Sequence, residues 1–366
     1  MPLFHPMNRS RSLKTGCALL LYWLVSGLSA QTLWPSAQQW QQLRQRAQTD
    51  PVVQQVIDGQ RRLANEALEA TPHPLETISS AGRLQGDPVK SNTEASLKDM
   101  ERIAALAIVF TVSGETCYAS RAAVMLQAWA NTNHPSGQPI DETTLEPAIF
   151  GYRLIRDQTD PVRRQAIDAW LRNLANAEID SRDLSKKTAT NNWHSHRLKT
   201  VGLIGYALAD RNLIDWARNG LRQQIGDNLR ADGSSIDFLE RDALSYHVYD
   251  LRPLFTLALA LAEDGDDFYH WRAANGASLE HSIKWMRPWL TGEKQHAEFI
   301  TTQVAFDKAR ANNHESGHEI GGLWDAKNAV PLLNLAAAWD GEYATLARRL
   351  GGDKIHWRLL LSTQPP

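Results

Sequence analysis

Apolar residues recur at three- and four-residue spacing along almost the whole chain, and this pattern confines it to packed helices. Leu97, Met100, Ile103, Ala104, Leu106, Ala107 and Phe110 form one stripe, and Ala119, Ala122, Ala123, Leu126 and Trp129 form the next. That period lines side chains along one helical face, whereas strand-like alternation is rare. Breaks fall at Gly114, Asn133 to Pro139, Asp160-Pro161, Asp210, Asp232-Gly233, Glu263-Asp264-Gly265 and Gly321-Gly322. Many of the runs between them are about 15 to 22 residues long, and helices of that length joined by short polar turns fold back as antiparallel hairpins. The spacing predicts pairs over 96–131, 142–178, 190–229, 240–288 and 297–350, after an N-terminal region at 34–70. The pairs share no sequence repeat, so the expected fold is all-α, an α/α toroid or incomplete barrel of hairpins, instead of a short-period solenoid. Residues 71–95, rich in Pro, Ser, Gly and Thr, read as a loop, either a lid or a linker.

The first thirty residues carry a different signal: Arg9, Arg11 and Lys14, an apolar run from Gly16 to Val25, and small residues ending at Ala30. This reads as a cleaved secretory signal peptide, leaving 31–366 as one domain in the periplasm or outside the cell. No later stretch reaches the ~20 apolar residues of a membrane-spanning helix, so no stable membrane insertion is expected. With Cys17 removed, Cys117 remains alone and no internal disulfide can form. Loss of the three basic residues takes the formal charge from -2 to -5. An acidic chain with no Lys/Arg block is a poor nucleic-acid binder, so a polyanionic ligand would need a local basic cleft.

Tryptophan, at 13, outnumbers tyrosine and phenylalanine at 8 each. Trp129, Trp170 and Trp216 have apolar helical neighbours and read as core; Trp193 sits in a polar cluster and reads as a ligand contact. That cluster, Asn191-Asn192-Trp193-His194-Ser195-His196-Arg197, precedes the apolar run Val201 to Leu208. In a helix Asn192 and His196 share a face at i and i+4, and His194 points away. The alternative is an N-cap followed by solvated histidines. A second cluster runs from Arg241 through Tyr246, His247 and Tyr249 to Asp250, with Tyr246, Tyr249 and Asp250 on one face.

Together the clusters supply a phenol, imidazoles, a guanidinium and an amide, the groups that β-elimination from a uronic acid requires. Removing the carbon-5 proton beside a carboxylate creates a dianion, so the site must neutralise that carboxylate; one such donor is worth on the order of 3 kcal/mol. In mannuronate chains the departing oxygen and that proton lie on one side, so a single tyrosine can act as base and then as acid.

The segments Asn191 to Lys199 and Glu240 to Leu251 resemble the two signature segments of the alginate lyase superfamily. Gly137-Gln138-Pro139-Ile140-Asp141-Glu142-Thr143, and Glu298-Phe299 followed by Phe306-Asp307-Lys308, extend the resemblance over about residues 85–340. It implies an α/α toroid with a cleft and cofactor-free, metal-independent cleavage of an anionic polysaccharide. Carried onto this chain, Tyr246 is the base and acid, and Arg241 and Asn192 neutralise the carboxylate. A histidine assists, with His196 first and His194 second. Trp193, Arg197, Lys90, Glu142, His247, Lys308 and Arg310 are the expected substrate contacts. The chain departs from the pattern at Trp193, which separates the asparagine pair from the histidines. Mannuronate-rich alginate is thus the first expected substrate and glucuronan the second.

His314-Glu315-Ser316-Gly317-His318 matches the zinc-protease pattern H-E-x-x-H. Gly317 interrupts the helix that pattern needs, and a loop at the cleft rim is the expectation instead. A non-catalytic periplasmic sugar-binding protein, the remaining alternative, would keep the tryptophans without needing Tyr246.

Overall fold

A computed structural model describes Met1, residues 31–352 and residues 355–361. The signal-peptide segment lies outside the described residues. The chain enters through α1 (Ala37–Arg46) and α2 (Pro51–Glu69), then α3 (Pro88–Ser96), α4 (Lys98–Ser113) and α5 (Thr116–Thr132). The one-turn α6 (Pro139–Glu142) leads to α7 (Glu146–Ile155), α8 (Pro161–Asp180), α9 (Asn192–Leu208) and α10 (Arg211–Asn228). There follow α11 (Ile236–Arg241), α12 (Leu244–Leu261), α13 (Leu279–Trp285), α14 (Arg287–Thr291), α15 (Ala305–Asn312), α16 (Val330–Ala336) and α17 (Gly341–Gly351). Only two isolated β-bridges, Leu229 with Ser235 and Ala297 with Leu323, occur among the described residues. None of the described helices is long and apolar enough to cross a membrane.

Helices α2, α4, α7, α9, α12 and α16 pack side by side in that order, with α5, α8, α10 and α17 behind them. This is an α/α toroid of hairpins. Asp50, Asp87, Asp160, Asn191 and Asp210 cap their helices through side-chain oxygens, and Gly114 ends α4 at φ 78°. Helix α9 is the most enclosed, buried from His194 to Leu208. A Cβ on its Gly205 would stand 2.9 Å from the Ile214 nitrogen, so the residue's smallness lets α10 approach.

The inner helices surround a cavity of about 1060 Å³, whose lining includes Thr143, Glu146, His196, Lys199, Tyr249 and Arg252. Its floor is made by the ends of the described chain. Leu33 donates its N–H to the Leu259 carbonyl at the end of α12, Arg358 donates to the Leu33 carbonyl (2.6 Å), and Arg46 donates to that of Leu360 (2.6 Å). Trp40 stacks on Trp357 at 5.7 Å.

The three hairpins expected between 96 and 229 form. Those over 240–288 and 297–350 do not, because the second half of the former and the first half of the latter are broken into short helices and turns. After α12 the chain turns through Gly265 and Gly276, both at positive φ, before α13. Beyond α14, Phe299, His314, Gly317 and Gly321 all adopt positive φ, which no helix tolerates in its interior. Within 71–95, residues 88–96 are helical, seeded by Asp87 and Pro88.

Gly137, at φ +74°, packs where a Cβ would collide with the Ala177 carbonyl on α8. Gly137→Ala is therefore expected to cost more than the ~1–2 kcal/mol of left-handed strain alone. A thermal melt checks this, and an unchanged midpoint would refute it.

Candidate active site

Tyr246 lies in the first turn of α12, where the in-sequence N-cap is Ala243 and offers no side-chain oxygen. Glu298 supplies the cap from afar: its carboxylate accepts from the N–H groups of Leu244 (2.6 Å) and Ser245 (3.2 Å), both otherwise orphaned at a helix start. The next residue, Phe299, sits at φ 65° and presents its ring edge-to-face to Tyr246 at 6.2 Å. The 298–299 motif thus fixes where the phenol stands.

Two guanidiniums flank that phenol. Arg241 lies with its Cζ 3.8 Å from the Tyr246 ring centroid and is held by Asp307, which also accepts from Thr302 Oγ1 (2.7 Å). Arg310 donates through Nη1 to the Tyr246 hydroxyl (3.3 Å) and through Nε to Glu315 (2.7 Å). Burial pushes the Tyr246 hydroxyl pKa up, while Arg241 and Arg310 pull against it. Glu315 also accepts from the Gln85 N–H (2.6 Å). Burial raises its pKa, but that N–H, Arg310 and Asn313 outweigh it and hold the carboxyl at about 2.

Asn192 begins α9 and gives both its backbone N–H (2.9 Å) and its side-chain amide to Asp237. Asn228 bridges Asp237 (3.0 Å) and Asp250 (3.3 Å), and Ser195 donates to Asp250 (2.6 Å). Burial raises both carboxyls, Asp237 to about 6 and Asp250 well above the usual range, and each charge raises the other's cost. This network, buried among α9 to α12, sets the orientation of Asn192. Asp250 consequently faces α9 and α10, and does not accompany Tyr246 into the site.

The two histidines separate as the i, i+4 spacing requires. His196 meets Tyr249 at 4.4 Å and Thr143 at 2.7 Å, and lines the cavity. His194 turns its edge to Trp216 on α10, with neither ring nitrogen partnered, and burial with Arg182 and Arg197 lowers its pKa to about 3. Neither is solvated as a bare N-cap segment would leave it. Tyr249 stands between Tyr246 (6.3 Å) and His196 and belongs to the same wall.

Several expected substrate contacts are corrected by their surroundings. Glu142 is buried, accepts from the N–H groups of Ser136 (2.5 Å) and Gly137 (3.1 Å), and neighbours Glu178. Arg197 is buried against that Glu178 at 3.3 Å. His247 is fully buried between Ser235 Oγ (2.9 Å) and Trp285. All three serve the interior. Lys90 turns back to the Arg83 carbonyl (3.4 Å), Lys308 is exposed on α15 beyond the buried Asp307, and Trp193 is half-buried on the first turn of α9. Of the group, Arg310 alone bonds Tyr246. Trp129 and Trp170 are core, their indole N–H groups held by Asp99 and Asn133; Trp216 is half-buried.

Residues 314–318 are a turn with positive φ at His314 and Gly317, not a helix, so the two histidines do not project together. Among the described residues no cluster of three or more His, Cys, Asp or Glu is arranged to hold a metal. His318 instead stacks on Phe299 at 5.7 Å, which puts the turn at the rim of the site.

A helical toroid whose phenol is bracketed by guanidiniums at the start of an inner helix defines a class that the comparisons specify. The alginate lyase family profile matches residues 36–296, and the chain belongs to that family. A polysaccharide lyase of Stenotrophomonas maltophilia (strain K279a) is 30% identical over 171 residues, covering 43% of this chain and 49% of that relative. The chain thus matches about half the length of this curated relative. Among solved structures, an alginate lyase of Bacteroides ovatus superposes with a TM-score of 0.68 at 15% identity, over 92% of this chain and all of the other. Alginate lyase A1-III of Sphingomonas species A1 gives 0.55 at 21% identity, over 69% and 77%. At these identities the structural likeness establishes the shared toroid.

Proposed function

We propose that the protein is a lyase that cleaves a β-1,4-linked uronate polysaccharide, mannuronate-rich alginate first, by syn β-elimination. The observation that carries this reading is the placement of the Tyr246 phenol between Arg241 and Arg310. The phenolate takes the carbon-5 proton, a carbon-4 to carbon-5 double bond forms as the bond to the carbon-4 oxygen breaks, and the same phenol returns the proton to that oxygen. Each guanidinium spends only part of its five donors on its acid, leaving others for the substrate carboxylate. Asn192, oriented by Asp237, and His196 complete the wall on the α9 side. Alginate lyase A1-III lends support: it has been seen with a tetrasaccharide in one variant replacing a histidine by alanine and another replacing a tyrosine by phenylalanine.

Glucuronan is the second substrate, favoured by Trp193 standing where the family's mannuronate lyases place their histidine. Incubation with polymannuronate, polyguluronate and glucuronan, each with a chelator, is expected to raise the ultraviolet absorbance of unsaturated uronate with one polymer. No rise with any of them would overturn the lyase reading in favour of a sugar-binding protein.

A further inference from the structure

Thr143 stands between α6 and α7, and Lys199 lies close to His196 on α9. The buried Lys199 ammonium has three hydrogens and three acceptors: the Thr143 carbonyl (3.3 Å), Thr143 Oγ1 (2.6 Å) and Glu146 Oε2 (2.5 Å). An ammonium only donates, so Thr143 Oγ1 accepts from it with one lone pair, and its own hydrogen can go to His196 Nδ1, 2.7 Å away, when the ring hydrogen is on Nε2. A ring nitrogen that accepts is bare, and in that arrangement the imidazole hydrogen is on Nε2.

Nε2 is buried and has no partner within hydrogen-bond geometry. The ring packs against Tyr249 of α12, a helix that contains Pro253. Proline has no N–H, so the Tyr249 carbonyl four residues earlier is released from the helical ladder and faces the imidazole. Burial, with the cations Lys199 and Arg252 beside it, keeps the ring neutral. The chain of contacts runs from Glu146 through Lys199 and Thr143 to His196, at the wall it shares with Tyr249.

We propose that Thr143 and Lys199 are positioning residues that hold His196 as the neutral tautomer protonated on Nε2, with that hydrogen turned to the freed Tyr249 carbonyl, so that His196 holds the wall beside Tyr249 and is not the group that removes the proton. The effect on turnover rests on the lyase reading; the tautomer does not. Glu146 fixes Lys199, and through it the direction of the Thr143 hydroxyl.

Imidazole nitrogen spectra of the full ¹⁵N-labelled chain test this, with His196 identified by the signals that His196→Gln removes. The expected spectrum is a single Nε2-protonated tautomer that does not titrate between about pH 5 and 8. Thr143→Val keeps the side chain's shape and removes its hydroxyl. It is expected to yield a mixture of tautomers and to lower kcat about tenfold while KM stays nearly constant, and Thr143→Ser to restore both. A wild-type ring protonated on Nδ1, or a Thr143→Val spectrum identical to wild type, would overturn the proposal. If no uronate polymer is cleaved, the lyase reading falls while the spectra still decide the tautomer.

Discussion

Tyr246→Phe is expected to abolish turnover while substrate binding stays within a few-fold of wild type. The substitution removes one oxygen, which among the described residues takes a 3.3 Å hydrogen bond from Arg310. The ring keeps its edge-to-face neighbours Phe299 and Tyr249 and its place under Arg241, so neither the fold nor the cleft wall has reason to move. Chemistry loses much more. One placed acid or base contributes roughly 10²- to 10⁴-fold, and in the proposed mechanism the same atom serves both proton transfers, so a fall beyond about 10³-fold is expected. Initial rates of product absorbance give the loss in turnover, and calorimetry with an oligomer of the cleaved polymer gives the affinity. Residual turnover within tenfold of wild type would remove Tyr246 from the reaction.

Legibility in the sequence followed the range of the forces involved. The period of the apolar residues and the Asp-Pro and Gly breaks were sufficient for the helices from 96 to 229, because capping and burial of one face are local or nearly so. They were insufficient beyond 262. There Phe268 and Tyr269 are buried by distant partners, with Tyr269 stacked on Trp339 at 5.0 Å, and backbone at positive φ replaces helix. The site divides in the same way. The opposite facings of His194 and His196 follow from helical geometry alone. The burial of Glu142, Arg197 and His247 does not, since each is satisfied by a residue that spacing cannot locate, such as Glu178 for Arg197. Glu298, Asp307, Thr143 and Lys199 lay within the recognised segments without roles, because capping a helix 54 residues away is a tertiary event. Pro253, four residues after Tyr249, is the one local signal of this wall, since it frees the Tyr249 carbonyl.

Arg310→Met separates two duties that the proposed mechanism gives this guanidinium. Arg310 opposes the burial that raises the Tyr246 pKa, and its spare donors are available to the substrate carboxylate. With the cation gone the phenol's pKa rises further. At any pH below that value the phenolate fraction falls about tenfold for each unit of the rise, so kcat/KM at neutral pH drops and its acid limb moves to higher pH. Raising the pH then recovers part of the lost rate. The unpaired Glu315 would add to the shift, since its carboxylate remains held by the Gln85 N–H. Adding Glu315→Gln to Arg310→Met removes that charge as well and is expected to bring the limb part of the way back. If Arg310 served only to bind substrate, KM would rise and the limb would stay in place. The pH dependence of kcat/KM reports the free enzyme, so it distinguishes the two duties before substrate is bound. An unmoved acid limb in the single variant would mean that Arg241 alone governs the ionisation of Tyr246.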